Sequence, residues 1–120
     1  NLIDKLRKYP KVVDVKNSMT TIPHMIPAIQ TLIENRRSGI YNLVNPGMIS
    51  AAEIMNLYQQ IVDTKHKFEV LSLEDLDKIT LGKRSNCFLN SDKLSSEGIS
   101  LPEIHDAVIE CLHGYKTYLA

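Results

Sequence analysis

"GIYNLVNPGMISAAEI", residues 39–54, constrains the fold of this chain more than any other stretch. It reads as a strand over 40–44, an abrupt Asn45-Pro46-Gly47 turn, and a helix opened by a Ser50/Glu53 capping box. Strand–turn–helix is the order in which nucleotide-binding α/β folds build phosphate sites. Yet the turn is not G-x-G-x-x-G, and no other stretch supplies that pattern. Pro46 also removes a donor that a phosphate cradle would use. The turn is therefore read as a tight connection that uses Pro and Gly for their backbone angles. The strand is apolar except for Asn42, and such strands are normally covered on both faces. Only two other short strands are predicted, "KVVDV" at 11–15 and "KFEVL" at 67–71, which is too little sheet to cover it.

Helices fill the rest of the chain. "NLIDKLRKYP" is amphipathic from its first residues, with Leu2, Ile3 and Leu6 at helical spacing and Pro10 as the stop. Ile22, Met25, Ile26, Ile29, Leu32 and Ile33 trace the apolar face of a second helix, expected to become regular near Pro27 and to stop at Gly39. Ile54, Leu57, Tyr58 and Ile61 mark the buried face of the helix after Ser50. Ser72 and Asp75 cap a short helix to about Ile79, and another short helix runs from about Asp92 to Gly98. Ser100 with Glu103 is a further capping box, ahead of a long helix carrying Ile104, Ala107, Val108, Cys111, Leu112 and Tyr115 on one side. The fold class is α/β. A start at Asn1 with a helix already under way leads to the expectation of a fragment of a longer chain.

Charge and chemistry narrow the function. Fourteen Lys+Arg balance 14 Asp+Glu, so no broad basic footprint offers itself to nucleic acid or to an anionic membrane. No apolar run is long enough to span a bilayer, and two cysteines make no disulfide framework, so a cytoplasmic setting is expected. The four histidines lack metal-ligand spacing: His105 and His113 stand about 12 Å apart along one helix. Cys87 has no evident base partner and reads as a packed cysteine. None of the five tyrosines has a lysine four residues on, so no Tyr-x-x-x-Lys pair is present, and no catalytic or metal residue is assigned. "LGKRSNCFLNSDKL" is a polar connection in which Arg84 is suited to bidentate phosphate binding.

In order, "NLIDKL", "VVDV", a Thr-containing loop and helix, "GIYNLVNPG" with "SAAEI", and "RSNCFLNSDKL" resemble the C-terminal part of extended short-chain dehydrogenase/reductases that act on nucleotide sugars. The wording is most similar to the rhamnose-biosynthesis reductases, both the dTDP-4-dehydrorhamnose type and the UDP-4-keto-6-deoxy-glucose 3,5-epimerase/4-reductase type. The resemblance implies a substrate-binding lobe of a Rossmann-type enzyme, with 40–44 as a late strand of the cofactor-binding sheet. The NADPH-binding loop and the catalytic pair would lie in an N-terminal half absent from this chain, so the fragment alone is expected to be inactive. The resemblance further implies that Arg84 meets the substrate diphosphate, with Ser85 where relatives carry proline. Asn1 would line the nucleotide pocket, "VVDV" would lie beside the base, and Asn17 and Thr20 would contact the sugar. The implied partner is a UDP- or dTDP-sugar, with a homodimer as the candidate assembly of the full-length protein. The alternative is a non-catalytic binding or regulatory subunit of the same fold.

Overall fold

In the computed structural model, which describes residues 1–83 and 85–120, the capping box at Ser50 forms as its sequence predicts. The Ser50 hydroxyl accepts from Glu53 N–H at 3.0 Å, and the Glu53 carboxylate accepts from Ser50 N–H at 2.8 Å. The chain builds α1 (Leu2–Leu6), β1 (Lys11–Val13), α2 (Ile22–Glu34), α3 (Ala51–Ile61), β2 (Glu69–Leu71), α4 (Leu73–Ile79), α5 (Asp92–Ser96) and α6 (Ile104–Leu119). The strands are shorter than predicted. They pair in parallel, Val12 opposite Val70, in a two-stranded sheet.

The main core lies where α3 and α6 meet beside β1. Ile49, Met55, Ile104 and Leu112 have no exposed surface there. A second, smaller core joins Ala28 of α2 to Leu94 and Ile99, with Leu32, Tyr41 and Leu43 against it.

Four expectations are corrected. Residues 40–44 are not a strand: they run without a ladder partner among the described residues, held by Thr20 Oγ1 donating to Leu43 O at 2.6 Å and Lys93 Nζ donating to Ile40 O at 2.8 Å. The second helix begins at Ile22 rather than near Pro27. Pro23 falls in its first turn, where the missing N–H is harmless, and Pro27 deletes only one helical bond. That helix ends at Glu34, and Arg36 rather than Gly39 is the left-handed residue that stops it. Arg36 takes the left-handed conformation (φ 51°), with Arg37 N–H bonded to Leu32 O and Arg36 N–H to Ile33 O, a Schellman closure on a residue other than glycine. The last helix begins at Ile104, with Glu103 rather than Ser100 as its cap. Leu101 precedes Pro102 and is steered out of the helical region, so the start moves past the proline.

The apolar face predicted for α2 is also not where the core lies. Among the helix's residues only Ala28 is fully buried, and Ile22, Ile26, Ile29 and Ile33 face outward. Cys87 is exposed rather than packed. No described helix is long and apolar enough to cross a membrane.

Candidate functional site

The Asn45-Pro46-Gly47 turn is a structural joint. Pro46 O accepts from Ile104 N–H at 2.8 Å and so satisfies an orphan donor at the start of α6. Gly47 has φ +88°, and a Cβ there would stand 2.6 Å from Glu103 Oε1. Backbone angle and close approach both call for glycine. The turn spends its polar groups on α6, in keeping with the connection read from its sequence.

The segment just before α2 lines an apolar space beside the core. Asn1, Ile3, Met19, Thr20, Val108 and Tyr115 are among the walls of a cavity of about 480 Å³. A second cavity of about 350 Å³ shares Leu2 and Met19 with the first and is also lined by Asn17 and Ser85. Volumes of this order suit small-molecule ligands.

Each wall is held by specific bonds. The Asn1 side chain caps α1, accepting from Asp4 N–H at 3.0 Å. Tyr115 of α6 donates to Asp4 Oδ1 at 2.5 Å and latches α1 onto α6. Burial first, and the Asp4 bond second, push the Tyr115 phenol up to about 12, while that bond holds the Asp4 carboxyl below its ordinary range. Burial also raises the Cys111 thiol, which lines the first cavity. Such a thiol stays protonated and is a poor nucleophile.

Asn17 ties the second cavity to the loop that follows α4. Its Oδ1 accepts from Cys87 N–H at 2.7 Å, and its backbone exchanges hydrogen bonds with Ile49 in an isolated antiparallel bridge. Ser18 continues the junction: its N–H donates to Cys87 O at 2.7 Å, and its hydroxyl accepts from Leu89 N–H at 2.8 Å. Residues 17–18 and 87–89 are thereby laced together.

Of the sequence-predicted site residues, Asn1 and Thr20 share the first cavity and Asn17 lines the second. Arg84 lies outside the described residues; its covalent neighbour Ser85 lines the second cavity with Asn17. Sequence reasoning missed Ser18 and the α6 wall. The stripe through Val108, Cys111 and Tyr115 was read only as core, and Gly114, with nothing within 4 Å of its would-be Cβ, was the small-residue signal on that wall.

A separate polar cluster joins the starts of α3 and α6. His105 Nδ1 meets Glu103 Oε1 at 2.7 Å, His105 Nε2 meets Glu53 Oε1 at 3.3 Å, and Lys16 Nζ lies 3.7 Å from Glu53 Oε1. The Glu103 bond, with Glu53 behind it, raises the His105 imidazole above its ordinary value against the effect of burial. Burial opposes ionisation of Glu53, but the Ser50 amide and His105 still hold its carboxyl low.

No family model matches this chain. It is 34% identical over 110 residues to a bifunctional dTDP-4-dehydrorhamnose 3,5-epimerase/dTDP-4-dehydrorhamnose reductase of Arabidopsis thaliana, covering 92% of this chain and 36% of that protein. It is 32% identical over 114 residues to a trifunctional UDP-glucose 4,6-dehydratase/UDP-4-keto-6-deoxy-D-glucose 3,5-epimerase/UDP-4-keto-L-rhamnose-reductase of the same plant, covering 95% of this chain and 17% of that protein. Its fold matches the crystal structure of a UDP-rhamnose synthase from Acanthamoeba polyphaga mimivirus, with a TM-score of 0.83 and 32% identity over 94% of this chain and 39% of that one. The chain is thus homologous to the epimerase/reductase region of these enzymes and spans well under half the length of each.

Proposed function

We propose that these residues form the substrate-binding part of a nucleotide-sugar 3,5-epimerase/4-reductase that converts UDP-4-keto-6-deoxy-glucose to UDP-rhamnose with NADPH. The similarity in fold and sequence to the viral UDP-rhamnose synthase, over nearly the whole of this chain, carries the reading. The paired cavities support it. The first offers apolar walls with the polar groups of Asn1 and Thr20, a lining suited to a base or a deoxysugar. The second is lined by Asn17 and by Ser85, the sequence neighbour of Arg84, a cation suited to the diphosphate.

The cofactor does not belong to these residues in this reading. The sequence holds neither a Gly-rich phosphate loop nor a Tyr-x-x-x-Lys pair. NADPH and the hydride step are assigned to a Rossmann-type half of a longer short-chain dehydrogenase/reductase, and this part binds and orients the sugar nucleotide. Titration of UDP and dTDP into the 15N-labelled chain tests the assignment. Amide shifts concentrated at Asn1, Asn17, Thr20 and Ser85 are expected. Shifts scattered over the surface, or none at millimolar nucleotide, would reject it.

A further inference from the structure

We infer that His24 and Glu110 form a clamp that sets the spacing between the start of α2 and α6, the two walls of the first cavity, and that His24 is thereby a positioning residue for the bound sugar nucleotide. The inference rests on the nucleotide-sugar reading above and deepens it.

The two walls belong to different cores. Val108, Leu112 and Tyr115 of α6 are part of the main core, whereas Ala28 and Leu32 of α2 are part of the smaller one. Among the described residues, the main core holds no residue of α2 and the smaller core none of α6. The cavity of about 480 Å³ opens between the two helices, with Thr21, Ile22 and Pro23 on one side and Val108, Cys111 and Tyr115 on the other. Core packing therefore does not fix its width.

Hydrogen bonds fix it instead. The His24 imidazole is engaged at both nitrogens: Nδ1 meets Thr21 Oγ1 at 2.7 Å, and Nε2 meets Glu110 Oε2 at 3.0 Å. Thr21 is bonded in turn to Asn45 Oδ1, and Asn45 Nδ2 donates to Pro102 O. The start of α2 is thus tied to α6 at two points, to the entry of the helix through Asn45 and Pro102 and to its middle through Glu110. Glu110 lies six residues beyond Ile104, the first residue of α6, or about 9 Å along the axis at about 1.5 Å per residue. One tie alone would act as a pivot. Two ties this far apart fix an angle as well as a distance. Among the described residues, no other hydrogen bond or ion pair joins a side chain of α2 to α6.

Position and exposure suit the role. His24 follows Pro23 and Glu110 precedes Cys111, so both clamp residues adjoin residues of the cavity wall. The Glu110 side chain is 69% exposed and that of His24 17%. A pair so exposed adds little to global stability, and its use is geometric. Ligand affinity scales with the fraction of molecules whose wall stands in the competent place, so a small free energy at the clamp is read directly in binding.

The test applies a ligand-free and a ligand readout to the unaltered chain, Glu110→Ala, His24→Asn and His24→Gln. The amide nitrogen of glutamine reaches about where Nε2 stands, and that of asparagine about where Nδ1 stands. The glutamine variant therefore keeps the Glu110 tie and the asparagine variant loses it. Residual dipolar couplings of α2 and α6 are expected to fit one rigid orientation in the unaltered chain and in His24→Gln, and to require more than one in Glu110→Ala and His24→Asn. Calorimetry with UDP is expected to show binding about two- to fivefold weaker in those last two and restored in His24→Gln. An orientation unmoved in Glu110→Ala would overturn the inference. So would a glutamine variant no different from the asparagine one, or an unchanged dissociation constant where the orientation does change. Failure of the unaltered chain to bind UDP would reject the nucleotide reading, and the ligand-free couplings would then decide the clamp by themselves.

Discussion

The buried carboxamide of Asn45 accepts two hydrogen bonds from Thr21, from the backbone N–H at 2.9 Å and from the hydroxyl at 3.2 Å. Its Nδ2 donates to Pro102 O at 3.0 Å, and its own N–H donates to Met19 O. One residue, 1% exposed, therefore fixes the cavity-lining segment against both the turn and the entry to α6, holding Met19 through its backbone and Thr21 through its side chain. Asn45→Ala would leave a buried donor and a buried acceptor unpaired, at about 1–3 kcal/mol each. A loss of about 2–4 kcal/mol in urea unfolding is expected. A change below about 0.5 kcal/mol would show that Asn45 is not the strut described.

Gly47 tests the reading of the turn as a joint. At φ +88° a β-carbon is strained, and it would also displace Glu103 Oε1, the atom that holds His105 Nδ1. Gly47→Ala is expected to cost about 1–3 kcal/mol and to lower the His105 titration midpoint together with it. Loss of stability with an unmoved His105 titration would separate the backbone effect from the side-chain displacement and refute the latter.

The His105 cluster gives a pH dependence with a definite sign. Its imidazole is raised above the ordinary 6.5, so its contribution is complete below that value and fades as pH rises through the folded-state midpoint. Glu53 and Glu103 are held below the ordinary 4.5, so their contribution is present above that value and is lost as pH falls through their folded-state midpoints. The stabilisation from the cluster is therefore greatest between about pH 4.5 and 6.5. The melting temperature of the unaltered chain minus that of His105→Gln, followed across pH, should peak in that window. A difference independent of pH would dismiss the ion-pair account.

Some local signals were legible in the sequence, though the Ser100/Glu103 box and the Gly39 stop, also local, did not form as read. The Ser50/Glu53 and Ser72/Asp75 caps, and the α6 stripe through Ile104 and Leu112, depend on neighbours three or four residues away, and they form as read. Residues 40–44 have the composition of a strand, but a strand also needs a partner, and periodicity does not say whether one is present. The isoleucines of α2 show the same limit. Their spacing marks an apolar face, but only the fold reveals that Ala28 takes the core side. At the site, the family-like words led to Asn1, Thr20 and Asn17, which fall on two adjoining cavities. Ser18 escaped notice because its role is a bond to Leu89, far along the chain.

The last prediction concerns the diphosphate. Among the described residues that line the two cavities there is no lysine or arginine, so a bound diphosphate would need a cation from nearby. Arg84 adjoins Ser85 in sequence, and its planar fork suits a phosphate better than the point charge of Lys83. A charge-assisted hydrogen bond contributes about 1.5–3 kcal/mol, so Arg84→Ala should weaken UDP binding about tenfold or more, and Lys83→Ala should weaken it less. Asn17→Ala separates contact from positioning. Asn17 Oδ1 holds Cys87 N–H at 2.7 Å, so its removal should speed exchange of the Cys87 amide as well as weaken UDP binding. Arg84→Ala should weaken binding without that change in exchange. Calorimetry with UDP and amide exchange on the three variants give the answer. An unchanged dissociation constant in a folded Arg84→Ala protein would remove Arg84 from the site.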